Sequence, residues 1–544
     1  MKNVLVIGSG ISGMSCAIHC AQKGMHVTLV SPFPSERSQS VMAAGGINAV
    51  LSENQEDDSI EIHIEDTLKG GAYIAGKKAV EGLCTDAGPI VKYLEGIGTV
   101  FSIDADGKPK YRAFGGQSRK RTYYCGASTG KQIVTALNME VRRLEAAGQV
   151  ERQLGTCFHS ALIKDGVCYG ALLFRETTGN LDAVYADAVV MATGGQNTIF
   201  GKTTGSTQCD GYAAGRLFEQ GVVLKNLEFI QYHPTTLETS QKRMLISEAV
   251  RGEGGRLFYE ENGKRVYFME DKYGPGGNLQ TRDVVSREIY ATHKDVYLDI
   301  SFLDAAVINE RLPEVRDLCR KYRGIDITRE PIPVAPSVHF FMGGIAVHND
   351  HSTSVSNLYA VGECASIYHG ANRLGGNSLL AAVHGGRVAA QAIDKLEAGG
   401  AHPSFDEFIT KQQEKLAAVK EAQSTFAYAN ILNMLAHTMQ EDLGIVRDEA
   451  SLRNGLQQID YYLSVADRIR YDSSVLAYFN YSLPGILTLA RGVLTCALNR
   501  EESRGAHYRS DCPDTDESFA HATLISYDGG RYRTWLDTEG EYES

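Results

Sequence analysis

A chain of 544 residues with a net charge of −12, 43% hydrophobic and 22% charged, exceeds what one core supports and implies two or three domains. Its acidic balance and the lack of a long Lys/Arg block exclude nucleic acid as the expected partner. No stretch reaches the roughly 18 to 20 uninterrupted apolar residues of a membrane span; the nearest, Val475 to Leu498, contains Asn480, Pro484 and Arg491 and reads as a buried helix.

Val4-Leu5-Val6-Ile7 is a continuous apolar run, the pattern of a parallel strand buried on both faces. Gly8-Ser9-Gly10-Ile11-Ser12-Gly13 follows at once and leads into a helical stretch ending near Gln22. In a dinucleotide site each glycine has a part. Gly8 permits the tight turn, Gly10 admits a pyrophosphate to the backbone, and Gly13 lets the helix pack closely on the sheet, with the phosphate at the helix N-terminus. A second strand, His26 to Val30, ends at Ser31-Pro32 instead of the Asp or Glu that would hold a ribose. This weakens NAD and leaves FAD, since a serine also hydrogen-bonds a ribose. A chain that opens in a strand leaves no room for a signal peptide. Its eleven cysteines, none in a CxxC pair, are therefore expected to be reduced thiols of a cytoplasmic protein. Cys16 and Cys20, four apart on the first helix, are expected to pack together, and no zinc or iron–sulfur ligand set is present.

Ala186 to Met191 is a further buried run, closed by Thr193-Gly194-Gly195, and Leu358-Tyr359-Ala360-Val361 repeats the pattern before Gly362-Glu363. Late strands returning to the nucleotide sheet are typical of two-dinucleotide-binding-domain flavoproteins, where the last delivers an acid, here Glu363, to the FAD ribitol. Residues from about 405 to 500 read as helices, from runs such as Glu414 to Lys420 and Leu452 to Ile459.

Between these elements lie longer motifs: Ala43-Ala44-Gly45-Gly46-Ile47-Asn48, Gln231-Tyr232-His233-Pro234-Thr235, Arg251-Gly252-Glu253-Gly254-Gly255, Thr281-Arg282-Asp283, His339 to Gly344, His369 to Leu374, and Asn377-Ser378-Leu379. With Gly444 to Arg447 and Ser503 to His507 they span nearly the whole chain. Together they resemble one family, the flavoprotein subunits of fumarate reductase and succinate dehydrogenase, with L-aspartate oxidase as a close relative. The resemblance implies an α/β fold. A Rossmann-like FAD-binding domain (1–232 and 345–400) would carry an inserted α+β capping domain (233–344), followed by a C-terminal helical domain (401–505) and a tail (506–544).

A C4 dicarboxylate needs cations or strong donors at both ends, hydride from one face and a proton from the other. His233, His339 and Arg373 suit the carboxylate clamp, and the resemblance gives them that role together with Ser247, where relatives commonly carry Thr. It makes Arg282 the proton donor, resupplied through Glu248 and Arg251, since a guanidinium passes a proton only when another replaces it almost at once. It carries FAD contacts to Gly8, Ser9, Gly10 and Gly13, and to Ser31, Ser38 and Gln39. Further contacts fall on Ala44, Gly45 and Gly46, on Thr193, Gly194 and Asp210, and on Glu363, Arg373, Ser378 and Leu379.

Three positions separate the relatives. Phe114, in Ala113-Phe114-Gly115-Gly116, stands where aspartate oxidases place an acid for the substrate ammonium. A phenyl face there would leave a buried charge unpaired, so it suits an unsubstituted dicarboxylate. Met342 before Gly343-Gly344 follows the reductase and dehydrogenase pattern. Gln39 occupies the position at which many relatives bond FAD to a histidine, so FAD is expected to be noncovalent. In the family, losing that bond lowers the flavin potential and favours reduction. The implied activity is reduction of fumarate to succinate. Electrons would come from a soluble carrier or an iron–sulfur subunit, the latter tying the protein indirectly to the cytoplasmic face of a membrane. The alternatives are succinate oxidation on the same scaffold and L-aspartate oxidation to the imine.

Overall fold

The computed structural model describes every residue except 52–56, 241, 398, 401, 423–425, 467, 474–475 and 544. The first strand, Asn3–Ile7, is the centre of a five-stranded parallel sheet. Across the sheet the order is Leu358–Ala360, Ala188–Met191, Asn3–Ile7, His26–Ser31, Val150–Leu154. Its apolar runs are buried on both faces, as the sequence reading expects. Ile11–Gln22 is the first helix. Gly8 has φ +113°, and a Cβ there would lie 2.2 Å from the Ala192 carbonyl oxygen. A Cβ on Gly13 would lie 1.9 Å from the Gly8 oxygen, so both positions require glycine for turn and helix to nest. Cys16 and Cys20 are buried on this helix with their sulfurs 3.9 Å apart, a packing contact.

Residues 230–341 build a six-stranded sheet in the order Arg243–Leu245, Ile230–Glu238, Ile332–Phe341, Val296–Asp299, Arg256–Glu261, Lys264–Val266. Its core is separate from the main one and includes Leu237, Val285, Leu298 and Ile332. The two long central strands pair antiparallel, with register breaks at Gln231/Tyr232 and His233/Thr236. Pro234 lies in the second break, where a missing N–H costs the ladder nothing. From this strand pair His233 and His339 line the cavity that the ends of the parallel strands also wall.

Among the described residues four α-helices follow: Asp406–Glu421, Tyr428–Asp442, Glu449–Ala466 and Ala477–Asn499. The last is long and apolar enough to cross a membrane, but its apolar stretch is 78% buried within the protein, as its polar interruptions suggest; Val475 lies outside the described residues. This helix crosses the helix Tyr212–Glu219 with backbones in contact, since a Cβ on Gly215 would lie 2.0 Å from the Gly485 oxygen.

The tail has more structure than a terminal extension. Thr523–Asp528 and Arg531–Leu536 form a hairpin turning on Gly529 and Gly530. Its first strand pairs with Leu224–Lys225, which pairs on its other side with Gly344–Ala346. The alternating Arg531-Tyr-Arg-Thr-Trp-Leu536 beside a Gly-Gly turn is the local cause.

Candidate functional site

One continuous cavity runs from the carboxyl ends of the parallel strands to the inner face of the six-stranded sheet. Gly8, Ser9 and Gly10 line its middle beside Ser38, Gln39 and Ala44. Gly45, Gly46, Thr193, Gly194, Ser378 and Leu379 complete that part. Ser31 and Asp210 stand towards one end, and Glu363, Phe114, His233, Ser247, Glu248, Arg282, His339 and Arg373 towards the other. Two of the sequence-predicted residues are not in the wall. Gly13 packs beneath the turn, and Arg251 lies behind Glu248.

At the cap end, Arg282 opens the helix Arg282–Ala291. Its Nε and Nη2 donate to Glu248 Oε2 at 3.0 and 2.8 Å, a forked pair. Its Nη1 donates to Gln231 Oε1 at 3.0 Å. Glu248 Oε1 accepts the Gly115 N–H at 2.8 Å and stands 3.2 Å from Arg251 Nη2. Burial would raise the Glu248 pKa, but Arg282 and Arg251 outweigh it and hold it at about 2. Arg251 donates from Nη1 to the Asn278 carbonyl, and burial lowers its own pKa.

Arg373 donates from Nη2 to the same Gln231 oxygen at 3.0 Å and lies 4.3 Å over the Phe340 ring. Burial, then the charge of Arg282, draws its pKa well below the usual guanidinium value. Its Nε is buried without a hydrogen-bond partner among the described residues. His233 Nδ1 meets the backbone of Thr235, 3.1 Å from its carbonyl oxygen and 3.3 Å from its N–H, which fixes the orientation of the ring. The His339 ring meets it edge-on at 5.2 Å, with Nδ1 held 2.8 Å from Thr204 Oγ1. Burial first, then the charge of Arg282, pushes both imidazoles well below their ordinary pKa, so both are neutral at neutral pH. Ser247 is buried in the same wall, and its Oγ accepts the Ala249 N–H. Phe114 is buried against Gly45 and Gly375.

Among the described residues, Arg251 and Arg282 both pair with Glu248, and Arg373 feels Glu363 and then Glu248 at longer range. Three guanidiniums against these carboxylates leave the site with an excess of positive charge and donors from two histidines, a complement to a dianion. Two participants escaped the sequence reading. Gln231 joins the two outer arginines through one neutral oxygen, and Gly115 supplies an N–H to Glu248 that a Cβ would obstruct, since it would lie 2.7 Å from that oxygen. Both sit inside motifs already singled out, but nothing local marks what they touch.

The rest of the cavity fits FAD. Glycine backbone at a helix N-terminus suits its pyrophosphate, and Ser38 Oγ is buried there without a protein partner among the described residues. Burial holds Asp210 up at about 6 and Glu363 up at about 7, so both can bond hydroxyls of a neutral sugar or ribityl chain. Gln39 is in the wall with its Oε1 accepting the Ser206 N–H.

Comparison with known proteins gives a consistent picture. Residues 3–379 match the family model described as FAD binding domain, and residues 432–539 match that of the fumarate reductase flavoprotein C-terminus. The chain is 36% identical to the succinate dehydrogenase flavoprotein subunit of Bacillus subtilis over 97% of its own length and 94% of that protein's. It is 34% identical to a fumarate reductase (CoM/CoB) subunit of Methanothermobacter marburgensis, covering 96% of this chain and 97% of that one. Among solved structures it superposes on the E. coli quinol fumarate reductase FrdA with a TM-score of 0.90 at 29% identity, covering 98% of this chain and 96% of that one.

Proposed function

The chain belongs to the fumarate reductase and succinate dehydrogenase flavoprotein family, and from that premise we propose that it reduces fumarate to succinate. The observation that carries the reading is the excess of positive charge facing the flavin end of the cavity, with two neutral histidines beside it. FAD, when bound in the cavity, supplies the hydride chemistry. The protein's own residues do the rest. Arg373 takes one carboxylate of the substrate, and His233, His339 and Ser247 take the other. Donors gathered at one carboxylate draw charge from the double bond and make its far carbon electrophilic.

The proton comes from Arg282. Its Nη1, bonded to the neutral Gln231 oxygen, is the nitrogen least committed to Glu248. Glu248 holds the guanidinium in place and returns a proton to it from Arg251. Closing the six-stranded sheet over the cavity keeps water from the reacting carbons.

Gln39 cannot form a flavin–histidyl bond, which favours noncovalent FAD and the reductive direction. Electrons are expected from an iron–sulfur subunit that also ties the chain to a membrane; several relatives are named as subunits. The buried Phe114 disfavours a substrate ammonium and hence aspartate oxidation. An Arg282→Ala protein should keep FAD and lose about 10²- to 10⁴-fold in fumarate reduction with a reduced viologen donor. Full activity in that variant would refute the assignment.

A further inference from the structure

The end of the cavity remote from Arg282 is closed by a segment that no nucleotide-binding motif contains. Its walls are the strand end at Ser31, the stretch Thr156 to Phe158, Asp210, and the start of the last long helix at Leu476, Tyr478 and Phe479. Ser31 pairs with Leu154, so Thr156 continues directly past the end of the second strand. A dinucleotide whose pyrophosphate lies on the glycine turn and whose flavin faces Arg282 has only this end left for its adenosine.

The aromatic turn is fixed in place by contacts that have nothing to do with the catalytic end. Tyr478 stands beside the Asp210 carboxyl, which accepts the Tyr212 N–H at 3.0 Å. The Tyr478 ring stands perpendicular to Tyr212 at 5.3 Å, and its N–H donates to Glu176 Oε1 at 3.0 Å. Behind it, the backbone contact of Gly485 with Gly215 locks the last helix onto the helix that Asp210 precedes. Phe479 is backed by Tyr428 of another helix at 5.6 Å. Leu476 stands at the mouth, 38% exposed with an apolar side chain.

We propose that the first turn of the last helix, through Tyr478 with Leu476 and Phe479, forms the outer wall of the adenosine half of the FAD site. The helical region thereby retains the cofactor. The proposal rests on FAD being the cofactor and not on which dicarboxylate reacts. It makes two events one: loading FAD secures the last helix against the parallel sheet, and loosening that helix releases FAD. A protein without a covalent flavin bond depends on such a wall, because noncovalent contacts alone set how long the flavin stays.

Two measurements test this. The first follows hydrogen exchange in the unaltered chain, without ligand, with FAD, and with saturating ADP, which carries adenosine and pyrophosphate but no flavin. FAD and ADP should both slow exchange over residues 476–482. Unchanged exchange there with both ligands would overturn the proposal. The second measures release of FAD from holoenzyme by recovery of flavin fluorescence. Tyr478→Ala should release FAD at least about tenfold faster, with Tyr478→Phe and Leu476→Ala in between. Release from folded Tyr478→Ala at the unaltered rate would overturn it. Flavin that remains with the denatured chain would also overturn it, and it differs from an unchanged release rate by being visible after unfolding.

Discussion

Replacing Gln231 by glutamate alters one terminal group at the centre of the site. The native oxygen accepts from Arg282 Nη1 and from Arg373 Nη2, both at 3.0 Å, and the native nitrogen donates to Asn372 Oδ1 and the Arg373 carbonyl, both at 2.7 Å. A neutral acceptor orients two guanidiniums without cancelling either charge. A carboxylate between them stays ionised and claims the attraction meant for the substrate. A substrate carboxylate about 6 Å away would meet a like charge worth about 3 kcal/mol at an effective dielectric near 20. That is about a hundredfold in affinity. The new oxygen also faces the Arg373 carbonyl where an N–H had been, which adds to the loss. In fumarate-dependent oxidation of reduced viologen, Gln231→Glu should raise KM by about a hundredfold, with a smaller effect on kcat. Gln231→Leu removes the bonds but adds no charge, and should raise KM far less. A folded, FAD-containing Gln231→Glu protein with KM within about threefold of the unaltered enzyme would refute the charge argument.

Binding of the dicarboxylate should take up protons. His233 and His339 are held neutral by burial and by Arg282, with Arg373 adding to this at both and Arg251 at His233, while Glu248 alone pulls His339 upward. Their folded pKa lies below the unfolded value near 6.5, so the stability they permit is full above that pH and lost as pH falls below it. A bound dianion raises both values. Succinate should therefore raise the melting temperature more at pH near 6 than near 8, and the reverse order would refute the neutral-histidine clamp. Because Gln39 stands at the linkage position, acid or detergent denaturation should free all the flavin; a fluorescent protein band on a denaturing gel would overturn noncovalent binding.

Much of the fold was legible because its signals are local. The buried runs, the glycine turn and the helix to Gln22 follow from residue pattern within about thirty positions, and the structure forms them at those places. The site residues were legible only through long motifs. His233 and His339 sit on paired strands about a hundred residues apart in sequence, and no spacing rule links them to Arg373. Gln231 was missed for a physical reason: a glutamine in a buried strand gives no sign of which charges its amide meets. Tyr478 was missed because its neighbours, Asp210 and Tyr212, lie in a different region of the chain. The tail hairpin was within reach, since its alternation and Gly-Gly turn are local, but a segment after a helical region is easily read as an extension.

The hairpin of residues 523–536 has a consequence for how the protein is made. It supplies the partner for Leu224–Lys225, a strand synthesised some three hundred residues earlier. Until residues 523–536 have been made, that strand presents an open edge, able to pair with other chains. Completion of this sheet thus comes long after Leu224–Lys225 is made, and the hairpin acts as a seal on assembly. Tyr542, buried beneath the hairpin, adds to that seal.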